Sequence, residues 1–301
     1  MDFKGRLERV RAQMNEKGIG VMYLRRGANL WYLTGINRSG PSLTDHNHYG
    51  DYVTGAYIGA DDGFTLVAPR MGGSGWQSQA EGKPWVEEVL ILDESERPKD
   101  MMKRVLDRFK LKGSGICIEE RAWAHTTILL NELEPKSKVT NANELIEPMR
   151  MIKDKDEIAL MKKAGEITDK VYGKVVDYLK VGVYEYDVAH EVDYQFTKHG
   201  AEQNSFVTGV RFRSPKHPWS LGGPRTGPRK LEEGDTISFD FGCVYKGYCS
   251  DFGRTVYVGD PPAKVNEIHD KVMESQAAAI EKMIDSTITA TGLDIVARSI
   301  I

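Results

Sequence analysis

Cysteine is scarce in this chain, and its scarcity excludes several classes of protein. Only Cys117, Cys243 and Cys249 occur in 301 residues. They form no CxxC pair and no framework, which excludes a disulfide-stapled secreted scaffold and a cysteine zinc ribbon. Small buried thiols of this kind suit a reducing compartment. Long apolar runs are missing too, since none approaches the ~18 residues that a membrane-spanning helix needs. The amino-terminal stretch MDFKGRLERVRAQM is charged and amphipathic and lacks the apolar core of a secretory signal. Together these absences predict a cytoplasmic protein with no membrane partner. No basic block stands out and the formal net charge is -3, so nucleic acid is not an expected partner either. Internal repeats and low-complexity tracts are also absent.

What is present is an ordinary globular composition, 40% hydrophobic and 28% charged, at a length that suits two domains. Leu7, Val10 and Met14 recur at helical spacing over residues 5–17, and Gly18 and Gly20 stop that helix. GVMYL reads as a strand. TGAYIG, the turn Asp61-Asp62-Gly63 and FTLVAP read as a hairpin. MGGSGW reads as a glycine-rich loop, too short and wrongly placed to cradle a phosphate. VEEVLIL and SGICIEE are strands, separated by a helix over 98–111 that turns Met102, Val105, Leu106 and Phe109 inward. Alternation of this kind predicts a mixed α/β sheet up to about residue 146.

The composition changes at Pro148. A long amphipathic helix follows from Ile152 to about Leu179, with Ile158, Met161, Ala164, Ile167 and Val171 as its apolar stripe. A second helix, 187–198, turns Val188, Val192 and Phe196 inward and ends at Gly200. Residues 204–230 are rich in Gly, Pro and Arg and are expected to form one long loop. The stretch from Glu232 to Gly259 reads as strand, turn and strand, and two helices follow at about 263–283 and 292–301.

The chemistry concentrates between Asp240 and Thr255. The segments 237–241 and 248–257 can pair across a turn at Lys246-Gly247, which would bring Asp240 and Asp251 to neighbouring strands on one face. Two adjacent carboxylates repel, and a divalent cation relieves the repulsion. Asp240 lies inside the β-prone apolar run ISFDFG, where an unpaired buried charge would be costly. A site of Asp, Glu and His suits Mn, Fe, Co or Zn, and a pair of such ions activates water for attack on a carbonyl. On an arbitrary hairpin the same two residues would simply be solvated or cap turns.

These residues carry a family resemblance. Gly234-Asp235, Asp240, Gly242, then Gly247-Tyr248, Ser250-Asp251 and Arg254-Thr255 resemble the metal-ligand hairpin of the creatinase/prolidase/methionine aminopeptidase superfamily, including the eleven-position step between the aspartates. MRMIKDKDEIALMKKAGEITD resembles the helix that opens the family's catalytic domain. RLERVRAQMNEKGIGVMYLRRGANLWYLTG resembles the amino-terminal domain of its Xaa-Pro aminopeptidase, prolidase and creatinase branch. The implied fold class is α/β (α+β): a creatinase-type domain over residues 1–146, of three layers, and the first half of a pita-bread metallohydrolase domain over 147–301. The resemblance implies two divalent metal ions (Mn, Co, Fe or Zn), with Asp240 binding one and Asp251 bridging both, and Arg254 supporting the site. It implies amide hydrolysis on a peptide or small amide substrate, most simply an Xaa-Pro peptidase, in a homodimer. A creatinase-like or lyase activity on the same fold, and a catalytically dead partner-binding module, are the rival readings.

Two departures matter, and a few weaker features stand beside them. The family pattern places a substrate-facing His near Gly222 or Gly223, where none stands; His217 in RSPKHPWS is the nearest candidate for that catalytic position, and an exposed loop residue is its plainer reading. A later His and two later Glu ligands are not present in these residues, so the chain is expected to be a piece of a longer protein, inactive by itself. His46 and His48 in LTDHNHYGDY alternate like a metal pair but fit a polar surface loop equally well. His125, His190, His199 and His269 read as ordinary surface or capping residues, and Trp219 as a packed loop aromatic.

Overall fold

The computed structural model describes residues 1–37, 49–218 and 225–301. His46, His48, Trp219, Gly222 and Gly223 lie outside the described residues. The chain divides into two compact units. The first comprises Met1–Glu166, Ala201–Ser205 and Cys243–Ser250; the second comprises Ile167–Gly200, Phe206–Gly242 and Asp251–Ile301. None of the described helices is long and apolar enough to cross a membrane.

The first unit begins with α1 (Phe3–Glu16), which Asp2 caps by accepting from the Gly5 N–H. Then come β1 (Ile19–Leu24), α2 (Ala28–Thr34), β2 (Gly55–Gly59), β3 (Phe64–Pro69), α3 (Gly73–Ala80), β4 (Glu88–Leu92) and α4 (Pro98–Phe109). β5 (Gly115–Ile118), α5 (Ala124–Leu133), β6 (Val139–Asn141) and α6 (Asn143–Met151) complete the series. The strands form one six-stranded sheet in the order β4-β3-β2-β1-β5-β6. It is mixed: β1 pairs antiparallel with β2 and parallel with β5. Strand residues alternate between its faces. Met22, Leu24, Ile58 and Leu66 meet Leu7, Val10 and Met14 of α1 and Leu145 and Ile146 of α6. Val21, Tyr23, Tyr57 and Ile116 meet Met102, Val105 and Leu106 of α4 and Leu129 and Leu130 of α5. The result is the expected three-layer α/β/α arrangement. α6 runs continuously across residues 146 and 147.

One glycine-rich segment is not a loop. MGGSGW enters α3, whose Trp76 is buried in the core. Glycine disguises a helix because it lowers propensity, and tertiary burial of one large side chain outweighs that cost.

α7 (Lys155–Tyr178) starts in the first unit and continues in the second. Its start is a capping box: the Glu157 N–H donates to Asp154 Oδ1 at 2.8 Å, and the Asp154 N–H donates to Glu157 Oε2 at 2.9 Å. Ala164, Ile167 and Val171 of the expected stripe are buried, but Ile158 and Met161 are exposed. What the first turn buries instead is the carboxylate of Glu157.

That carboxylate belongs to a buried polar network in the first unit. Arg6, only 1% exposed, reaches Glu157 at 3.2 Å and Asp154 at 2.8 Å. Arg6 also donates to the Tyr32 carbonyl at 3.0 Å, and its guanidinium lies 4.1 Å from the Tyr32 ring centre. The Tyr248 hydroxyl donates to Glu157 at 2.7 Å. Burial, then the bond to Glu157, hold the Tyr248 hydroxyl well above its ordinary pKa, so it stays a neutral donor.

The second unit contains α8 (Glu185–Lys198) and, within residues 204–230, a feature that overturns the expected long loop. β7 (Gln203–Asn204) precedes it and β8 (Gly209–Arg213) lies inside it. The pattern GVRFR looks polar because Arg211 and Arg213 alternate with Val210 and Phe212, both of which are buried. The expected hairpin then appears in two pieces: β9 (Thr236–Phe241), β10 (Cys243–Tyr245), β11 (Tyr248–Cys249) and β12 (Phe252–Tyr257). β12-β9-β8 form one sheet, in the second unit, and β11-β10-β7 another, in the first. α9 (Ala263–Lys282) and α10 (Ala290–Arg298) follow, with Ile268, Val272, Ile280, Met283 and Ile295 exposed.

Removing one partner of a buried ion pair leaves the other charge uncompensated. Arg6→Ala is therefore expected to lower unfolding free energy by about 3–5 kcal/mol, and Tyr248→Phe by about 1–3 kcal/mol. Urea unfolding at pH 7 measures both; an Arg6→Ala loss under 1 kcal/mol would contradict the network's role.

Asp154 gives the pH prediction. Its carboxyl lies below the usual range: partial burial opposes the charge, but the Glu157 N–H and the Arg6 guanidinium favour it and prevail. A depressed native pKa adds stability above the unfolded value of about 4 and loses it as pH falls below that. The stability gap between wild type and Asp154→Asn should be constant from pH 7 to about 5 and close as pH falls below about 4. A gap that widens on acidification would have the wrong sign.

Candidate metal centre

β9 is the middle strand of its sheet, and its register decides what shares a face. Asp240 lies opposite Gly253 of β12 and opposite Gly209 of β8. Phe241 lies opposite Phe252 and Phe239 opposite Arg254. Side chains alternate, so Ile237, Phe239 and Phe241 share the inner face with Val210, Phe212 and Phe252. Phe239 and Phe252 meet Tyr172 of α7, and Phe241 meets Phe196 of α8. Asp240 is on the other face, and its side chain is 55% exposed. The apolar run around it is therefore a one-sided pattern. Asp240 escapes the desolvation that a two-sided core strand would impose.

Asp251 immediately precedes β12, two residues before Gly253. The ladder starts at Phe252; continued back by one residue, its alternation would turn Asp251 to the face of Asp240, diagonal to it. The residue before it is tightly held. The Ser250 N–H donates to the Cys243 carbonyl at 2.9 Å, and the Cys243 N–H donates to Ser250 Oγ at 2.9 Å. Ser205 Oγ donates to the Ser250 carbonyl at 2.9 Å.

Both cross-strand neighbours of Asp240 are glycines. Among the described residues, a Cβ built at Gly253 would meet nothing nearer than the Phe239 carbonyl at 3.9 Å. The space beside the carboxylate is therefore open on the β12 side. On the β8 side it holds a cation, because Arg225 forms an ion pair with Asp240. Its neighbours fix the backbone there. The Val210 N–H donates to Thr226 Oγ1 at 3.3 Å, which donates to the Thr208 carbonyl at 3.2 Å. The Gly227 N–H donates to Glu185 at 2.7 Å.

The remaining sequence candidates fall elsewhere. His217 is exposed in a tight turn with Ser214, beyond the end of β8 that pairs with Thr236. Asp240 pairs with the opposite end of β8. Arg254 is on the face opposite Asp240, donating to the Gly253 carbonyl at 2.8 Å and lying 4.5 Å from the Phe252 ring centre. His125 stacks on Tyr52. Residues that composition did not reveal are Arg225, Glu185 and the pair Arg229–Asp235. Asp235 is fully buried and bound by Arg229 through both carboxylate oxygens at 2.9 and 2.7 Å. An acidic residue in the first turn of a helix is a legible signal for Glu185; nothing local marks Arg225.

Residues 6–152 match the creatinase/prolidase N-terminal domain, and residues 159–301 match metallopeptidase family M24. The chain is a member of the creatinase/prolidase/methionine aminopeptidase superfamily. An Xaa-Pro dipeptidase of Pyrococcus furiosus is 28% identical over 99% of this chain and 77% of its own length. A crystal structure of prolidase from Thermococcus sibiricus superposes with a TM-score of 0.84 at 29% identity, over 100% of this chain and 77% of that one. The X-Pro aminopeptidase of Thermotoga maritima gives a TM-score of 0.80 at 25% identity, over 98% of this chain and 76% of that one. The second unit accordingly carries part of a pita-bread domain.

M24 membership implies divalent metal. The residues present fit a cation at Asp240, because the open space beside Gly253 can admit one and a guanidinium already stands in such a place. Asp240 and Asp251 would be its donors. Among the described residues no three His, Cys, Asp or Glu side chains cluster as a ligand set. Two carboxylates alone make a weak site.

Gly253→Val is expected to fold with a stability change within about 0.5 kcal/mol, the usual range for an exposed site, while placing its side chain beside Asp240. Its affinity for Mn²⁺, titrated by electron paramagnetic resonance of the free ion, should fall. Unaltered Mn²⁺ uptake would remove this face from the metal site.

Proposed function

We propose that this superfamily member is a metal-dependent peptidase that hydrolyses the amide bond of Xaa-Pro substrates. The observation that supports the reading is the register that puts Asp240 on an exposed, glycine-flanked face of the β12-β9-β8 sheet, with Asp251 next to the start of that ladder. The named activities of the Pyrococcus, Thermococcus and Thermotoga relatives support the substrate class. In this reading two divalent ions, drawn from Mn, Co, Fe and Zn, are held by Asp240 and Asp251 with further donors from outside the described residues. When bound, they supply Lewis-acid activation of water and of the scissile carbonyl.

The chain's own residues set up that chemistry. The two carboxylates repel one another, which favours the arrival of positive charge between them. Gly209 and Gly253 keep bulk away from Asp240, so a substrate carbonyl can approach the face. The hydrogen bonds around Ser250 hold the backbone that presents Asp251. Arg254 lies behind the sheet and would act through its backbone. No step is assigned to His217. The three cysteines, without a disulfide framework, favour a cytoplasmic location, and a homodimer is the proposed assembly, to be checked by light scattering.

The reading is tested by proline release from Xaa-Pro dipeptides with added Mn²⁺, using Xaa-Ala dipeptides as controls. The assay uses these 301 residues alone and the same residues joined to the part of the Pyrococcus dipeptidase that lies outside the match. The joined protein is expected to turn over Xaa-Pro substrates selectively. The 301 residues alone, and Asp240→Asn or Asp251→Asn in the joined protein, should fall on the order of 10²-fold below it. Full turnover by either aspartate variant would place the chemistry elsewhere.

A further inference from the structure

Among the described residues, Arg225 is the cation paired with a proposed metal carboxylate, and nothing in the hydrolytic reading requires it. We propose that Arg225 is an internal competitor for the metal: its guanidinium occupies the cation position at Asp240 and must be displaced before a divalent ion binds. This rests on the metal role proposed for Asp240.

Three observations carry it. The first is the ion pair itself, between a strand residue and a loop residue on the same sheet face. The second is that the loop is built to deliver it. Thr226 and Gly227, the next two residues, are bonded to Thr208, Val210 and Glu185, so the Arg225 backbone is anchored beside β8. The guanidinium also lies 5.4 Å from the Phe206 ring centre, a contact that favours a cation there. The third is the glycine at position 209. A Cβ there would stand 3.5 Å from Arg225 Nε and 3.3 Å from the Asp240 Cβ. A larger side chain would enter the passage that the arginine uses to reach the carboxylate.

The strength of the competition follows from exposure. Arg225 and Asp240 are 48% and 55% exposed, so solvent screens the pair. An exposed pair of this kind has an association constant of roughly one to five. By mass action it weakens metal binding by about two- to six-fold, and no more. A divalent ion therefore displaces it readily, while a monovalent ion in the open site gains little over the resident guanidinium. The arginine would thus keep Asp240 neutralised until a doubly charged ion is supplied.

The experiment is Mn²⁺ titration of the 301-residue protein at low ionic strength, read by electron paramagnetic resonance of the free ion. Wild type is compared with Arg225→Ala, Arg225→Gln and Lys230→Ala, folding being checked by circular dichroism. Lys230→Ala removes a charge from the same loop without touching Asp240. The expected result is an apparent Kd tightened by about two- to six-fold in both Arg225 variants and unchanged in Lys230→Ala. Equal affinity in wild type and both Arg225 variants overturns the competitor role while leaving the metal site intact. Weaker binding in the Arg225 variants overturns it too, making Arg225 a support of the site. The same tightening in Lys230→Ala reduces the effect to diffuse charge and also overturns it. Absence of Mn²⁺ binding from every protein overturns this inference, because no ion then displaces the guanidinium, while the metal reading is decided separately by turnover of the joined protein.

Discussion

The buried guanidinium of Arg6 imposes the strongest constraint on the first unit. A charge removed from water this completely must be neutralised and hydrogen-bonded, or the fold loses several kcal/mol. Its partners come from distant parts of the sequence: Tyr32 of α2, Asp154 and Glu157 at the start of α7, and Tyr248 through Glu157. Satisfying one side chain therefore fixes where α7 begins and where the β10–β11 turn rests. Aromatic packing reinforces the same point. Trp31 meets Tyr248 edge-on, with ring centres 5.1 Å apart. Gly247 has φ +81, and a Cβ there would stand 2.6 Å from the Trp31 ring. Only glycine suits that position, for backbone conformation and for space.

The division of the aspartate hairpin follows from a second constraint. A strand can pair with only one neighbour on each side. β9 pairs with β12 on one side and β8 on the other, whereas β10 pairs with β11 and β7. The change of partner falls at Gly242 on one arm and at Ser250-Asp251 on the other. Asp251 thus stands where regular pairing stops, with its backbone held by Ser250 and its side chain released from a ladder position. Asp240, still within its strand, is presented by alternation alone. Two carboxylates can share a face in this way without either being buried, and the inner face of the same strands remains a packed aromatic layer.

Much of this was legible locally. Period-2 alternation in GAYIG and FTLVAP, helical spacing of Leu7, Val10 and Met14, and the box Asp154-x-x-Glu157 are short-range signals that survive in the fold. The eleven-position step between Asp240 and Asp251, with its glycines, pointed to metal chemistry before any coordinates. The failures share a cause. α3 hid behind two glycines in its first three residues, and β8 behind two arginines, because in each the burial of a few side chains outweighs an unpromising composition. Asp240 looked buried because a run of apolar neighbours does not say which face of the strand is covered.

The sequence by itself determined the element types of the α/β layers, the superfamily, and the identity of the two candidate ligands, since these depend on spacing within a few residues or on a motif. Only the tertiary structure decided that Gly209 and Gly253 flank Asp240, that Arg225 pairs with its carboxylate, that Arg254 lies on the far face and that His217 lies beyond the end of β8 that pairs with Thr236. Those facts depend on strand register and on pairings between residues 11 to 31 positions apart. A one-residue slip of either ladder would turn each of those side chains to the opposite face.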